Sequence, residues 1–168
     1  MYDFIQAIET ISKTSIRFGL KSDQFIQVIL EFTENYKKGS ASEREKVLLH
    51  CSSLDIWKRL LGISALISEK AMHTNNVKWI ETALILHIIE DFRWDYRENI
   101  RYLVLTLYAA NYIGVNFKKK LKELIPLGSE KTQKYLMDFL KRDKFINEIS
   151  KFGLKISIYN GVPKFTPC

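Results

Sequence analysis

Residues 75–114, NNVKWIETALILHIIEDFRWDYRENIRYLVLTLYAANYIG, hold two helices and the turn between them. Asn75 and Asn76 offer side-chain oxygens to the unpaired first N–H groups of a helix. Behind them Ile80, Leu84 and Ile88, flanked by Ala83 and Leu86, recur at helical spacing, which predicts a helix over 77–91. A joint, Phe92 to Asp95, follows. Asp95 with Glu98 has the form of a capping box and opens a second helix over 96–113, almost wholly apolar after Arg101 and stopped by Gly114. Helices joined by so short a connection run antiparallel, so the stretch predicts a helical hairpin.

The same punctuation recurs on both sides. Upstream, Phe4, Ile5, Ile8 and Ile11 share a face, and Ser22 precedes Phe25, Ile29, Phe32 and Tyr36. Gly39 and Ser40 separate that helix from one opened by a Ser42–Glu45 capping box before Val47, Leu48 and Leu49. Ser53 then opens a segment from Asp55 to about His73, in which Ile56, Leu60, Ile63 and Ile67 form a stripe widened by Trp57, Leu61 and Ala65. A stripe that broad predicts contact with more than one neighbour. Downstream, Phe117, Leu121, Leu124 and Ile125 mark a helix ending at Pro126, and Ser129 caps another with Tyr135, Leu136, Phe139 and Leu140 facing inward.

Only the tail changes period. Leu154, Ile156 and Ile158 alternate with Lys155, Ser157 and Tyr159, and Asn160-Gly161 supplies the two positive-φ residues of a tight turn before Val162 and Phe165. Pro163 restricts that second strand to an edge. The expected fold class is therefore all-α, a single helical domain over 1–168 with eight or nine helices and a small C-terminal β-hairpin at 151–167 packed on it. Antiparallel helix pairs of 35 to 40 residues match the period of an α-solenoid, although no letter-by-letter repeat is present, and an irregular helical bundle is the alternative.

Composition narrows the class further. At 168 residues and 46% apolar, with 7 Gly and 3 Pro, the chain is long enough for a real core and too poor in breakers for a turn-rich sandwich or disorder. Cys51 and Cys168 have neither CxxC spacing nor a secreted-scaffold pattern. The start, Met1-Tyr2-Asp3-Phe4, has no basic segment followed by an apolar run. The longest uncharged stretch, Tyr102 to Asn116, carries Thr106, Asn111 and Asn116 and is too short and polar for a bilayer span. The expectation is a cytoplasmic chain with no membrane partner.

No residue set announces chemistry. His87, Glu90 and Asp91 lie at i, i+3 and i+4, turning an imidazole and two carboxylates to one helical face. A dinuclear carboxylate centre draws paired Glu-x-x-His motifs from several helices, and no second His has matching spacing. A hydrogen-bonded core histidine is the expectation. His50 and Cys51 are adjacent and so point about 100° apart on a helix, which makes a thiolate–imidazole pair improbable. Nucleotide-loop, nucleophile-elbow and zinc-protease motifs are absent. The expectation is no enzyme, no catalytic residue, no metal and no cofactor.

Charge and aromatic content point to binding. Met1 to Asn116 carries 14 Lys and Arg against 14 Asp and Glu, whereas Phe117 to Cys168 carries 12 against 5, so the whole +7 excess lies in the last third. Such a one-sided field raises encounter rates with acidic partners. Lys118 and Lys122 on one helix and Lys131, Lys134 and Lys141 on the next form the outward rows. Acids one turn away, Glu130 and Asp138 for Lys134, Glu123 for Lys119 and Glu148 for Lys144, fit an ordinary solvated face as well. The joint itself crowds Arg93, Trp94, Tyr96 and Arg97 among acids; aromatic and Arg side chains dominate interface energetics, and caps and ion pairs account for the same residues structurally.

The block Glu90 to Asn99, the Leu-Tyr-Ala-Ala stretch closing on Gly114, and Phe139-Leu140-Lys141-Arg142 with Phe152-Gly153-Leu154 resemble small bacterial HEAT-like helical proteins, some of them associated with toxin systems as immunity proteins. The resemblance covers about residues 75 to 165 and implies a HEAT-like α-solenoid serving as a non-catalytic, protein-binding helical scaffold. An immunity protein of that kind neutralises a cytosolic toxin by stoichiometric binding. Immunity proteins against nucleases are commonly acidic, which a +7 chain does not match. A second resemblance, to HEAT-like DNA glycosylases, implies nucleic-acid binding through the Lys-rich C-terminal helices, with Trp57, Trp79, Trp94 and Asp91 as the only counterparts of lesion-reading side chains. A third expectation, an enzyme centred on His87 and Glu90, ranks below both.

Overall fold

A computed structural model describes residues 1–14, 23–54, 56–93, 96–141 and 154–167. Among them are eight α-helices: α1 (Phe4–Lys13), α2 (Asp23–Lys38), α3 (Ala41–Ser53), α4 (Trp57–Thr74), α5 (Val77–Glu90), α6 (Tyr96–Tyr112), α7 (Phe117–Leu124) and α8 (Glu130–Leu140). A 3-10 turn, Ile125–Leu127, links the last two, and strands β1 (Leu154–Tyr159) and β2 (Val162–Pro167) form an antiparallel hairpin. The all-α class with packed helix pairs and a small hairpin is as the sequence leads one to expect.

α5 presents charge only at its start, where Lys78 and Glu81 pair with Glu34 and Lys37 of α2. Every residue from Thr82 to Glu90 is buried, the polar Thr82, His87 and Glu90 among them, and a segment so nearly apolar all round must be enclosed. Its neighbours are α2, α3, α4, α6 and α7. α1 packs on α2, α2 on α3, α4 on α5, α5 on α6 and α6 on α7, and helices two apart also touch, α1 with α3, α3 with α5, α5 with α7 and α4 with α6. The broad stripe of α4 is explained by this double contact: Leu60, Ile63 and Ile67 are fully buried.

Helix ends follow local chemistry. Asn76 accepts from Lys78 N at 3.0 Å to start α5, Asn116 from Lys119 N at 3.1 Å to start α7, and Ser129 from Thr132 N at 3.2 Å to start α8. Asn75 takes the left-handed conformation that closes α4. Two expected caps move. The capping box of α3 is Ser40 with Glu43, not Ser42 with Glu45. Ser53, expected to open α4, is the last residue of α3 and donates to His50 O at 2.8 Å. Ser22, Asp55 and Asp95 lie outside the described residues.

Long-range ties join the ends of the chain. The buried Tyr36 donates its hydroxyl to Leu127 O at 2.6 Å, crossing from α2 to the α7–α8 turn. The hairpin turns on Asn160 and Gly161, at φ 52° and 78°, and Phe165 N donates to Glu69 Oε1 of α4 at 2.9 Å while the Phe165 ring meets Tyr108 of α6 edge-on at 6.1 Å. Pro163 is buried in this seat.

Candidate recognition surface

The joint between α5 and α6 is held by carboxylates. Asp91 and Phe92 both adopt left-handed backbone, φ 64° and 50°, a conformation costing roughly 1–2 kcal/mol per non-glycine residue. Glu90, itself buried, offsets this cost by accepting from Phe92 N at 3.0 Å and Arg93 N at 2.9 Å. Asp91 Oδ1 accepts from Ser129 Oγ at 2.5 Å and Thr132 Oγ1 at 2.7 Å. That places a carboxylate at the N-terminus of α8, where the helix dipole favours negative charge. Its other oxygen, Oδ2, lies 3.3 Å from the Arg93 guanidinium.

Aromatic rings complete the joint. Phe92, Tyr96 and Tyr135 form a triangle with centroids 5.0, 5.1 and 6.1 Å apart. Phe92 is buried and Tyr96 stands 36% exposed, so one ring seals the core and another faces outward. Arg93 and Arg97 are exposed as well. Trp94 lies outside the described residues. The structure thus places Arg93 on the turn pinned by Glu90 and Asp91, and Tyr96 and Arg97 in the first turn of α6.

His87, Glu90 and Asp91 do not converge. His87 Nε2 lies 3.0 Å from Thr106 Oγ1, which meets Ser68 Oγ at 2.9 Å, and Ser68 donates to Ser64 O at 2.8 Å. This buried hydroxyl chain runs from α5 through α6 to α4, and burial pushes the imidazole pKa down to about 3. The two carboxylates turn to the joint and to α8 instead. Among the described residues no group of three His, Cys, Asp or Glu side chains could hold a metal ion. Burial pushes the Cys51 thiol up to about 12, far from a reactive thiolate.

The lysine rows are exposed as expected: Lys118 and Lys122 on α7, Lys131 and Lys134 on α8, and Lys141 at its C-cap. Their acids choose other partners. Glu123 pairs with Lys120 at 3.4 Å and Asp138 with Lys141 at 4.0 Å, both at i,i+3, where the sequence spacing suggested Lys119 and Lys134. Lys144 and Glu148 lie outside the described residues. Lys118, Lys119 and Lys122 with Asn116 and Glu123 line a shallow depression of about 570 Å³.

One feature escaped the sequence. Ile5, placed on one face with Phe4, Ile8 and Ile11, and Leu49 are 56% and 61% exposed, on a groove between α1 and α3. The signal was three consecutive apolar residues, Val47-Leu48-Leu49, which cannot all face one core from a helix. Comparison with protein-family models, curated proteins and solved structures finds no match to this chain. Function rests on the chain's own residues.

Proposed function

We propose that this chain is a non-catalytic helical scaffold that binds a protein partner through Arg93, Tyr96 and Arg97, with the lysine rows of α7 and α8 steering an acidic surface toward them. The observation that supports it most is the exposure of Arg93, Tyr96 and Arg97 next to a turn pinned by Glu90 and Asp91. Anchors held rigid before binding lose little freedom on docking, so more of their contact energy appears as affinity. The lysines contribute association rate and salt dependence more than affinity. Following the resemblance to HEAT-like immunity proteins, the partner is a toxin domain bound one to one in the cytoplasm.

The test is a search of the adjacent reading frames for one encoding a toxin-like domain, and a mixture of the chain with its product, followed by light scattering after size exclusion. A one-to-one complex is expected, and Arg97→Glu weakens it at least tenfold without moving the melting temperature. Absence of a complex, or equal loss of binding and stability, reduces the joint to scaffold.

The depression lined by Lys118, Lys119 and Lys122 favours a second reading, nucleic-acid binding. Binding to a duplex oligonucleotide would then fall with salt at a log–log slope of about 0.9 per neutralised phosphate. A flat response removes it.

A further inference from the structure

The two edges of the C-terminal hairpin are not alike. In its antiparallel ladder Leu154 faces Pro167, Ile156 faces Phe165 and Ile158 faces Pro163. Phe165 N donates to Glu69 Oε1 of α4 at 2.9 Å and so does not bond across the ladder. These three are therefore the pairs without mutual hydrogen bonds, whose N–H and C=O groups point away from the hairpin on either side. Two prolines fit such positions because no ladder bond is asked of them.

On β2 every outward N–H is thereby missing or taken: Pro163 and Pro167 have none, and Phe165 is held by Glu69. β1 has no such protection. Among the described residues the outward backbone groups of Leu154, Ile156 and Ile158 have no hydrogen-bond partner. An open strand edge is a template for an added strand. Ile158 shares a face with the buried Pro163 yet stands 68% exposed. The opposite face carries the exposed Lys155 and Lys164, and no acidic residue occurs from Leu154 to Pro167.

We infer that β1 takes up an extended segment of a partner protein as an added antiparallel strand, the segment alternating apolar and acidic residues. Side chains directly opposite across an antiparallel pair share a face. Apolar residues of the segment thus cover Ile156 and Ile158, and its acids meet the face of Lys155. Charge selects this occupant over a second copy of the chain, which would bring its own Lys155, Lys164 and +7 excess to the same edge. None of these residues belongs to the α5–α6 joint, so the site stands independently of the reading proposed for that joint.

The probe is a fluorescein-labelled hexapeptide alternating Val and Glu, titrated into the full chain and followed by polarisation. Saturable one-to-one binding is expected, at least tenfold tighter than for the Val–Lys counterpart. In the antiparallel arrangement the Val amides face β1, so N-methylation at the Val residues abolishes binding and N-methylation at the Glu residues leaves it. Ile158→Pro, which deletes one outward N–H, weakens binding severalfold; Lys155→Glu cancels the preference for the acidic peptide, and thermal melts show both variants folded. Equal affinity for the two N-methylated peptides, or for the Val–Glu and Val–Lys peptides, overturns the inference. So does a peptide-free dimer, seen by sedimentation equilibrium, that Ile158→Pro dissociates, because the edge would then belong to a second copy.

Discussion

His87 sits neutral in the interior, its pKa lowered by burial from 6.5 to about 3. Unfolding restores the ordinary value, so the unfolded chain binds an extra proton between those limits. Above about pH 6.5 the imidazole is neutral in both states and its full contribution is present; that contribution is lost as pH falls toward 3. Between pH 7 and pH 5 the loss amounts to about 2 kcal/mol. Urea unfolding at the two pH values should show a His87→Gln variant with a correspondingly smaller difference. Asp91 carries a double duty, left-handed backbone and carboxylate acceptor. Asp91→Ala is expected to cost about 3 kcal/mol, from two lost charge-assisted hydrogen bonds and the strained φ. Asp91→Gly, which keeps the backbone and drops the acceptor, should cost about 1 kcal/mol less, and denaturant midpoints of the pair separate the two contributions.

Two glycines at element ends separate conformation from space. Gly114, after α6, has φ +77° and open room around a would-be Cβ, so Gly114→Ala costs about 1 kcal/mol through backbone alone. Gly128 has ordinary backbone, but a Cβ there would meet Thr132 Cγ2 at 3.0 Å and Ile88 Cγ2 at 3.4 Å. Thr132 is held by Asp91 and cannot give way, so Gly128→Ala should cost about 1–3 kcal/mol by overpacking. Thermal melts of both check this, and Gly114→Asn, which tolerates the left-handed region, should recover part of the first loss only. Elements of this kind were legible where an oxygen-bearing residue precedes an apolar period, as at Asn76 and Ser129; the cap at Asn116 was not read. The start of α3 was misread because Ser40-Ala41-Ser42-Glu43 and Ser42-Glu43-Arg44-Glu45 both have the S-x-x-E form, and only contact geometry selects the earlier one. The joint could be located from its crowding of charges and rings. What Glu90 and Asp91 do there could not, because Ser129 and Thr132 lie 38 and 41 residues away and spacing carries no information across that distance.

At the scale of the whole molecule, α5 inside a ring of five helices and Tyr36 bonded to Leu127 couple the early helices to the late ones. Burial holds the Tyr36 hydroxyl protonated, as a donor. Tyr36→Phe leaves the Leu127 carbonyl unpaired and should cost about 1–2 kcal/mol. Near- and far-ultraviolet circular dichroism should shift together in that variant, as in a single cooperative transition; separate shifts would mark two independently melting halves. The contact of Asp91 with the start of α8 also bears on how the sequence can drift. The buried Asp91 and Thr132 depend on each other, and loss of either leaves the other short of a partner in the interior. Among homologous sequences positions 91 and 132 are expected to vary together, switching jointly to hydrocarbon or not at all, while 129 keeps an oxygen-bearing cap.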